Sequence, residues 1–327
     1  MSDSEEFSGS EDGKFKFKAA LDLSELPPEV LKRVNALKNL QLANVKHEVE
    51  YYKEVHQLDL KYKKLYDENN EKRRKVCVGE YEPTDLECEW KESDAADAVI
   101  DKLEMLEVDG KILKGGGNIK GIPDFWLTVF QNANEAVLNG VLEQIDEPVL
   151  KHLEDITVTL PEKNTGFTLH FHFSKNEFFT NTVLTKEYEM KSEVDPEDPL
   201  SFDGPEMFRS TGCKIDWKPG KSTAVKIIKQ KVKQKGKGKG GPKFVTKEEK
   251  RETFFNFFKP PKVPEDPKEE VDDEKQALIT EDFDIGFNIK EKLVPRAVLY
   301  FTGEADDDDD DFEDESDEDD EDADEED

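Results

Sequence analysis

PPEVLKRVNALKNLQLANVKHEVEYYKEVHQLDLKYKKLYD, residues 27–67, is the stretch that decides the architecture. Ser24 stands before it as a capping residue, and Pro27 and Pro28 suit a first helical turn, where a missing N–H has no intrahelical partner to lose. From there to Asp67 neither glycine nor proline interrupts. Apolar residues return three or four positions apart over much of the run, among Val30, Val34, Leu37, Val45, Val49, Tyr52, Val55, Tyr62 and Leu65. That is the period of one helix face. Roughly forty residues of helix reach about 60 Å, further than a small domain is wide. A stripe so long needs another chain to cover it, and a second copy is the simplest cover. Residues 24–70 are therefore expected to form a long dimerisation helix, with Leu31, Val34, Leu37, Leu40, Leu42, Val45 and Val49 along its seam.

On the N-terminal side, residues 1–23 are polar and acidic and read as disordered. On the C-terminal side, residues 71–120 read as a helical insertion. It opens on the basic run Lys72-Arg73-Arg74-Lys75 and ends on the loop Gly115-Gly116-Gly117. From residue 121 the pattern becomes globular. Pro123 opens a helix through Phe125, Trp126, Val129 and Phe130, and Pro148 opens a shorter one. Period-two strands follow at 156–160, 167–173 and 183–190, and 214–217 and 224–232 are expected to continue the sheet. A glycine turn at 236–241 allows residues 222–250 to form a projecting hairpin. Thr253-Phe254-Phe255-Asn256-Phe257-Phe258 is an aromatic anchor stopped by Pro260-Pro261. Helical signals fill roughly 270–295, and Val298 to Phe301 closes the core. Strands followed by helices give an α+β class, so residues 121–303 are expected to be one α+β dome with an antiparallel sheet.

The formal charge of the 327 residues is −32. Twenty of the 24 residues from Glu304 to Asp327 are Asp or Glu, with no Lys or Arg, so the rest of the chain carries only −12. A polyanion of this density repels nucleic acid and anionic membrane and attracts Lys/Arg-rich proteins. Direct specific nucleic-acid binding is thereby disfavoured. The alternative is a tail that merely solubilises. Three scattered cysteines, Cys77, Cys88 and Cys213, form no disulfide framework or zinc site and fit a reducing compartment. No apolar run approaches a membrane span, and the acidic start is no signal peptide. Soluble, intracellular behaviour is the expectation.

Several long strings, in order, resemble the nucleosome assembly protein family, which includes the SET-type chaperones. They are Val34–Gln41, Tyr81-Glu82-Pro83-Thr84 with Glu87-Cys88-Glu89-Trp90, Gly121–Thr128, Phe179-Thr180-Asn181 with Leu184-Thr185-Lys186, Ser201–Glu206, Phe254–Phe258 and Pro295–Glu304. The similarity covers roughly residues 20–305, and a disordered acidic tail, here 304–327, is typical of the family. Leu65-Tyr66-Asp67-Glu68-Asn69-Asn70 departs from the proline-leucine step usual in relatives. The resemblance implies a homodimer joined through the long helix, with a dome on each chain. It also implies a histone chaperone that binds the histone 2A–2B dimer and histones 3 and 4, assembling nucleosomes without ATP and shuttling between nucleus and cytoplasm. A SET-like inhibitor occupying an enzyme's basic substrate groove is the alternative.

The chemistry expected of such a protein is electrostatic competition with DNA. Exposed carboxylates make individually weak, displaceable pairs, typically under about 1 kcal/mol each. Asp306, Asp307, Asp308, Asp309, Asp310, Asp311, Glu313, Asp314 and Glu315 are the tail residues expected to meet histone, and Glu143, Asp146 and Glu252 the candidates on the dome. Residues 226–243 run against the acidic trend with eight lysines and no acid. Lys229, Lys231, Lys233, Lys235, Lys237 and Lys239 read as a nuclear import signal, with DNA contact or a solvated sheet edge as alternatives. Leu31, Val34, Leu37, Leu40 and Leu42 also have the spacing of an export signal, so import and export receptors are expected partners. Ser4, Ser8, Ser10 and Ser316 suit acidophilic kinases. His170 and His172 share a strand face, as metal ligands could, but nothing in sequence completes a site. With no nucleophile motif, phosphate loop or dinucleotide fingerprint, the reading is a non-enzyme without metal or cofactor.

Overall fold

The structure, a computed structural model, describes residues 26–90, 119–162, 165–232, 243–263 and 272–305, with Leu23 and the pairs 107–108 and 111–112. The expected cap Ser24, the N-terminal residues 1–22, the glycine loop, the lysine-rich stretch 233–242 and the tail from Asp306 lie outside the described residues.

Helix α1 spans Pro28–Cys77, 50 residues. It does not stop near residue 70 but runs through the basic stretch that the sequence reading gave to the insertion. Glu71 pairs with Arg74 at 2.9 Å and Lys75 at 3.5 Å, one turn ahead. Cations in a last turn also suit the partial negative charge of the helix end. Gly79 follows with φ 68, a left-handed conformation that ends the helix. Cys77 O accepts from Ile122 N at 2.8 Å, so the chain after the insertion returns to this end.

The chain groups into two compact units. One comprises the residues up to Tyr51 together with Val194–Asp203; the other comprises Tyr52–Glu193 and the residues from Gly204 onward. Val45 is 1% exposed within the single chain, so it is not an open seam position as expected from sequence. Leu37 and Leu40 are each 64% exposed, and Leu31, Val34, Leu42 and Val49 are half-buried.

The second unit holds the core. A two-residue pairing, β1 (Glu107–Val108) with β2 (Lys111–Ile112), precedes helices α2 (Phe125–Asn132), α3 (Asn134–Leu138) and α4 (Glu147–Leu150). The antiparallel sheet follows in the order β3 (Leu153–Thr159), β4 (Gly166–Phe173), β5 (Val183–Lys191), β6 (Glu206–Gly212). Alternation on β4 turns Phe167, Leu169, Phe171 and Phe173 inward and leaves His170 and His172 half-buried on the other face. A 3-10 helix, Phe254–Phe258, lays four buried phenylalanines on the inner face. Phe258 meets Phe171 edge-on at 5.2 Å, and Phe254 meets Phe130 of α2 at 5.1 Å.

Two sequence expectations give way here. Residues 214–217 do not extend the sheet; only a single bridge joins Trp217 to Phe179. The hairpin expected within 222–250 is present, Val225–Val232 (β7) against Lys243–Lys250 (β8), but it forms a sheet of its own and does not continue the four-stranded one. The sheet's fourth place is taken by β6, whose mixed Met-Phe-Arg-Ser-Thr sequence carries no apolar alternation.

The C-terminal segment is helical: α5 (Asp273–Asn288), a π-helical turn (Ile289–Leu293) and α6 (Ala297–Thr302). Of the expected core stretch 298–301, Tyr300 and Phe301 turn inward with Ala297, whereas Val298 and Leu299 are exposed on the other side of the helix. Phe301 stacks on Phe125 at 4.9 Å, and Asn132 donates to Tyr300 O at 2.7 Å. The α5 attachment is polar and buried. Lys186 Nζ pairs with Asp282 and donates to Phe257 O at 2.7 Å, while Tyr188 OH donates to Asp282 O at 2.7 Å. Burial pulls the Lys186 ammonium down to about 8 against the opposing pull of Asp282. The glycine inside α5, Gly286, is dictated by this packing, because a Cβ there would collide with the Tyr188 ring.

Candidate functional site

The three dome acids singled out from sequence meet at one corner of the second unit, but they do not play one role. Asp146 precedes α4 and is 0% exposed. Its carboxylate accepts from the Thr253 hydroxyl, from Phe254 N at 2.7 Å and from Glu143 N at 3.2 Å. Thr253 Oγ1 also lies 2.9 Å from Thr223 Oγ1. Burial raises the Asp146 carboxyl, and the three donors oppose that shift. An acid held this way presents no charge to solvent, so Asp146 is not a surface contact. It is a staple that fastens both feet of the β7–β8 hairpin, at Thr223 and Thr253, to the start of α4.

The staple has a geometric consequence. Glu143 donates its own N–H to Asp146, and Glu252 immediately precedes Thr253, so the two acids are set around the same buried carboxylate. Both are exposed. A hollow of about 420 Å³ lies alongside, lined by Ile145, Pro148, Phe178, Lys221, Lys226 and Arg251. Glu143 and Glu252 thus offer charge at a rigid corner that is not uniformly acidic.

On the hairpin, the register shows where its positive charge is balanced. Lys226 lies opposite Glu249, whereas Lys229 and Lys231 lie opposite Thr246 and Phe244. The one lysine of this strand with an acid as its register partner, Lys226, is therefore at the foot of the hairpin. Lys233, Lys235, Lys237 and Lys239 fall outside the described residues.

The histidine pair faces hydroxyls. His172 Nε2 lies 2.9 Å from Thr157 Oγ1 and His170 Nε2 3.0 Å from Thr159 Oγ1, with the rings stacked at 6.4 Å. Burial lowers both imidazoles, so the neutral form is favoured. Among the described residues no group of three or more His, Cys, Asp or Glu is arranged to hold a metal ion.

The family described as "Nucleosome assembly protein (NAP)" matches residues 32–304, from the first turns of α1 to the end of α6. The chain belongs to the nucleosome assembly protein family. It is 49% identical over 291 residues to nucleosome assembly protein 1-like 1 of Xenopus tropicalis, covering 88% of this chain and 72% of that protein. The human protein of the same name is 48% identical over 289 residues, with the same coverage. Among solved structures, nucleosome assembly protein 1 from Plasmodium knowlesi aligns over 85% of this chain and 99% of its own, with TM-score 0.53 and 28% identity. The nucleosome assembly match includes both elements that form the staple corner. It also includes Leu65–Asn70, which stay helical within α1 despite departing from the usual family string.

One feature of this nucleosome assembly protein was not singled out from sequence. The turn after α1 carries Leu86 and Trp90 in the open, 76% and 82% exposed. The signal in the sequence is the alternation of acids and apolar residues from Glu80 to Trp90.

Proposed function

We propose that the chain is a histone chaperone that binds the histone 2A–2B dimer and histones 3 and 4 and passes them to DNA without ATP. The observation that carries this reading is the family match across residues 32–304, followed directly by the 19 acids in residues 306–327. Tail carboxylates compete with DNA phosphates for histone lysines and arginines. Exposed pairs are weak one by one, so histone is shielded from misplaced contacts and still released to its proper site. Glu143 and Glu252 add a contribution from the dome to the charge of the tail, and Asp146 sets their positions. The working form is a homodimer whose seam uses the exposed α1 residues Leu37 and Leu40. Lysines 229–239 serve import, and the stripe from Leu31 to Leu42 serves export, so the protein shuttles between nucleus and cytoplasm.

The test is rescue of histone–DNA aggregates formed at low salt. Added protein should dissolve them and take up histone dimers. If it neither dissolves the aggregates nor binds isolated dimers, the chaperone reading fails.

A further inference from the structure

The segment after α1 is a built turn. Glu80 N and Tyr81 N donate to Lys75 O at 2.8 and 3.1 Å, holding it to the helix end. The Glu87 carboxylate ties the turn together, accepting from Thr84 N at 2.9 Å and Thr84 Oγ1 at 2.8 Å, while Glu87 N donates to Thr84 O at 2.9 Å. The same carboxylate accepts from Tyr81 OH at 2.6 Å. Glu80 pairs with Arg74 at 2.7 Å. These contacts engage two of the five acids between Glu80 and Trp90, a stretch without Lys, Arg or His. Glu82, Asp85 and Glu89 remain exposed and form no ion pair among the described residues.

Leu86 and Trp90 stand four residues apart on this turn, 76% and 82% exposed, and Tyr81 of the same turn is 41% exposed. A tryptophan left in water forgoes a large apolar burial and is the residue type most enriched at the energetic centre of interfaces. Glu82, Asp85 and Glu89, within the same eleven residues, add exposed negative charge that selects a cationic partner and disfavours an anionic one.

We propose that the Glu80–Trp90 turn is a docking surface for a lysine- and arginine-rich protein, with Leu86 and Trp90 entering an apolar hollow between its cations. The inference rests on the chaperone reading and deepens it: the tail supplies charge, whereas this turn adds an anchored apolar contact. The two contributions differ in salt dependence, because screening weakens exposed charge pairs and leaves apolar burial in place.

The experiment titrates full-length protein with histone 2A–2B dimers at low and high salt. Wild type is compared with Leu86→Ala/Trp90→Ala and with Glu82→Gln/Asp85→Asn/Glu89→Gln. Both side chains of the first variant are exposed, so its thermal midpoint should match wild type; sedimentation reports its self-association. The expected result is a loss of about tenfold or more in affinity for the Leu86/Trp90 variant at both salts. The carboxamide variant should lose affinity at low salt and converge on wild type at high salt. Acrylamide quenching of wild type relative to Trp90→Phe should fall when dimers are added. Unchanged affinity of the Leu86/Trp90 variant, with wild type binding normally, overturns the docking surface alone. A shift in self-association with unchanged histone affinity also overturns it, by assigning the turn to a second copy. Failure of wild type to bind dimers overturns the chaperone reading and this inference with it.

Discussion

Along α1, Leu37, Leu40, Leu58, Leu65 and Tyr66 each leave half to two thirds of their surface in water, whereas Phe254, Phe255, Phe257 and Phe258 of the 3-10 helix are all buried. Both stretches are rich in apolar residues, and the difference lies in what surrounds them. The phenylalanines fill the space between the inner sheet face and α2, and burial of such a side chain contributes on the order of 1.5–3 kcal/mol. The helix buries Val45 within the same chain but leaves these five positions in water. The sheet domain turns its apolar residues inward, and part of the helix stripe stays exposed. The two meet at Arg73, near the end of α1. Its guanidinium lies 5.2 Å from the Trp126 ring, donates to Val294 O at 2.7 Å and sits 3.7 Å from the buried Asp155.

The contrast breaks most visibly in the domain. Phe258→Ala should destabilise it by about 3–5 kcal/mol, read as a lower urea midpoint, because a packed aromatic site collapses only partly around the cavity. A loss under about 1 kcal/mol would show that the aromatic cluster is not the core. Asp282→Ala should cost a similar 3–5 kcal/mol by leaving Lys186 buried without its counter-charge. Lys186→Met combined with Asp282→Leu should recover much of that loss in the same urea titration.

A smaller effect tests the junction. Burial raises the Asp155 carboxyl from 3.8 to about 6, against the opposing pull of Arg73. A raised carboxyl binds its proton more tightly in the folded state. Its contribution is therefore full below about 3.8 and is lost as pH rises through 6, a change of about 3 kcal/mol at most. Relative to Asp155→Asn, wild type should lose stability between pH 4 and 6.5; parallel curves would remove Asp155 from the junction. The smallest effect belongs to the helix. Leu37→Ala/Leu40→Ala should shift the domain's unfolding by no more than about 0.5 kcal/mol yet raise the dimer dissociation constant in sedimentation. Equal loss in both readouts would erase the contrast.

Much of this arrangement is legible in the sequence, for physical reasons that also mark the limit. Residues 28–67 read as one helix because no glycine or proline interrupts them, and the end at Cys77 is missed because the i to i+3 and i+4 pairs of Glu71 look like a change of composition. Strands β3 to β5 show their alternation. Strand β6 does not, since it lies at the sheet edge with most residues part-exposed and has no apolar face to repeat. Asp146 looks like any surface acid, because its partners Thr253 and Phe254 lie more than a hundred residues away. Trp90 could be read as an aromatic in an acidic string, but only three dimensions show it uncovered.

The most direct test compares full-length protein with a chain lacking residues 304–327, each titrated with histone 2A–2B dimers across a salt series. Shaped domain and acidic tail acting together predict that the truncated chain binds more weakly, with a shallower salt dependence, and still saturates. Complete loss of binding would mean that the domain contributes nothing, and an unchanged curve would mean that the tail does not.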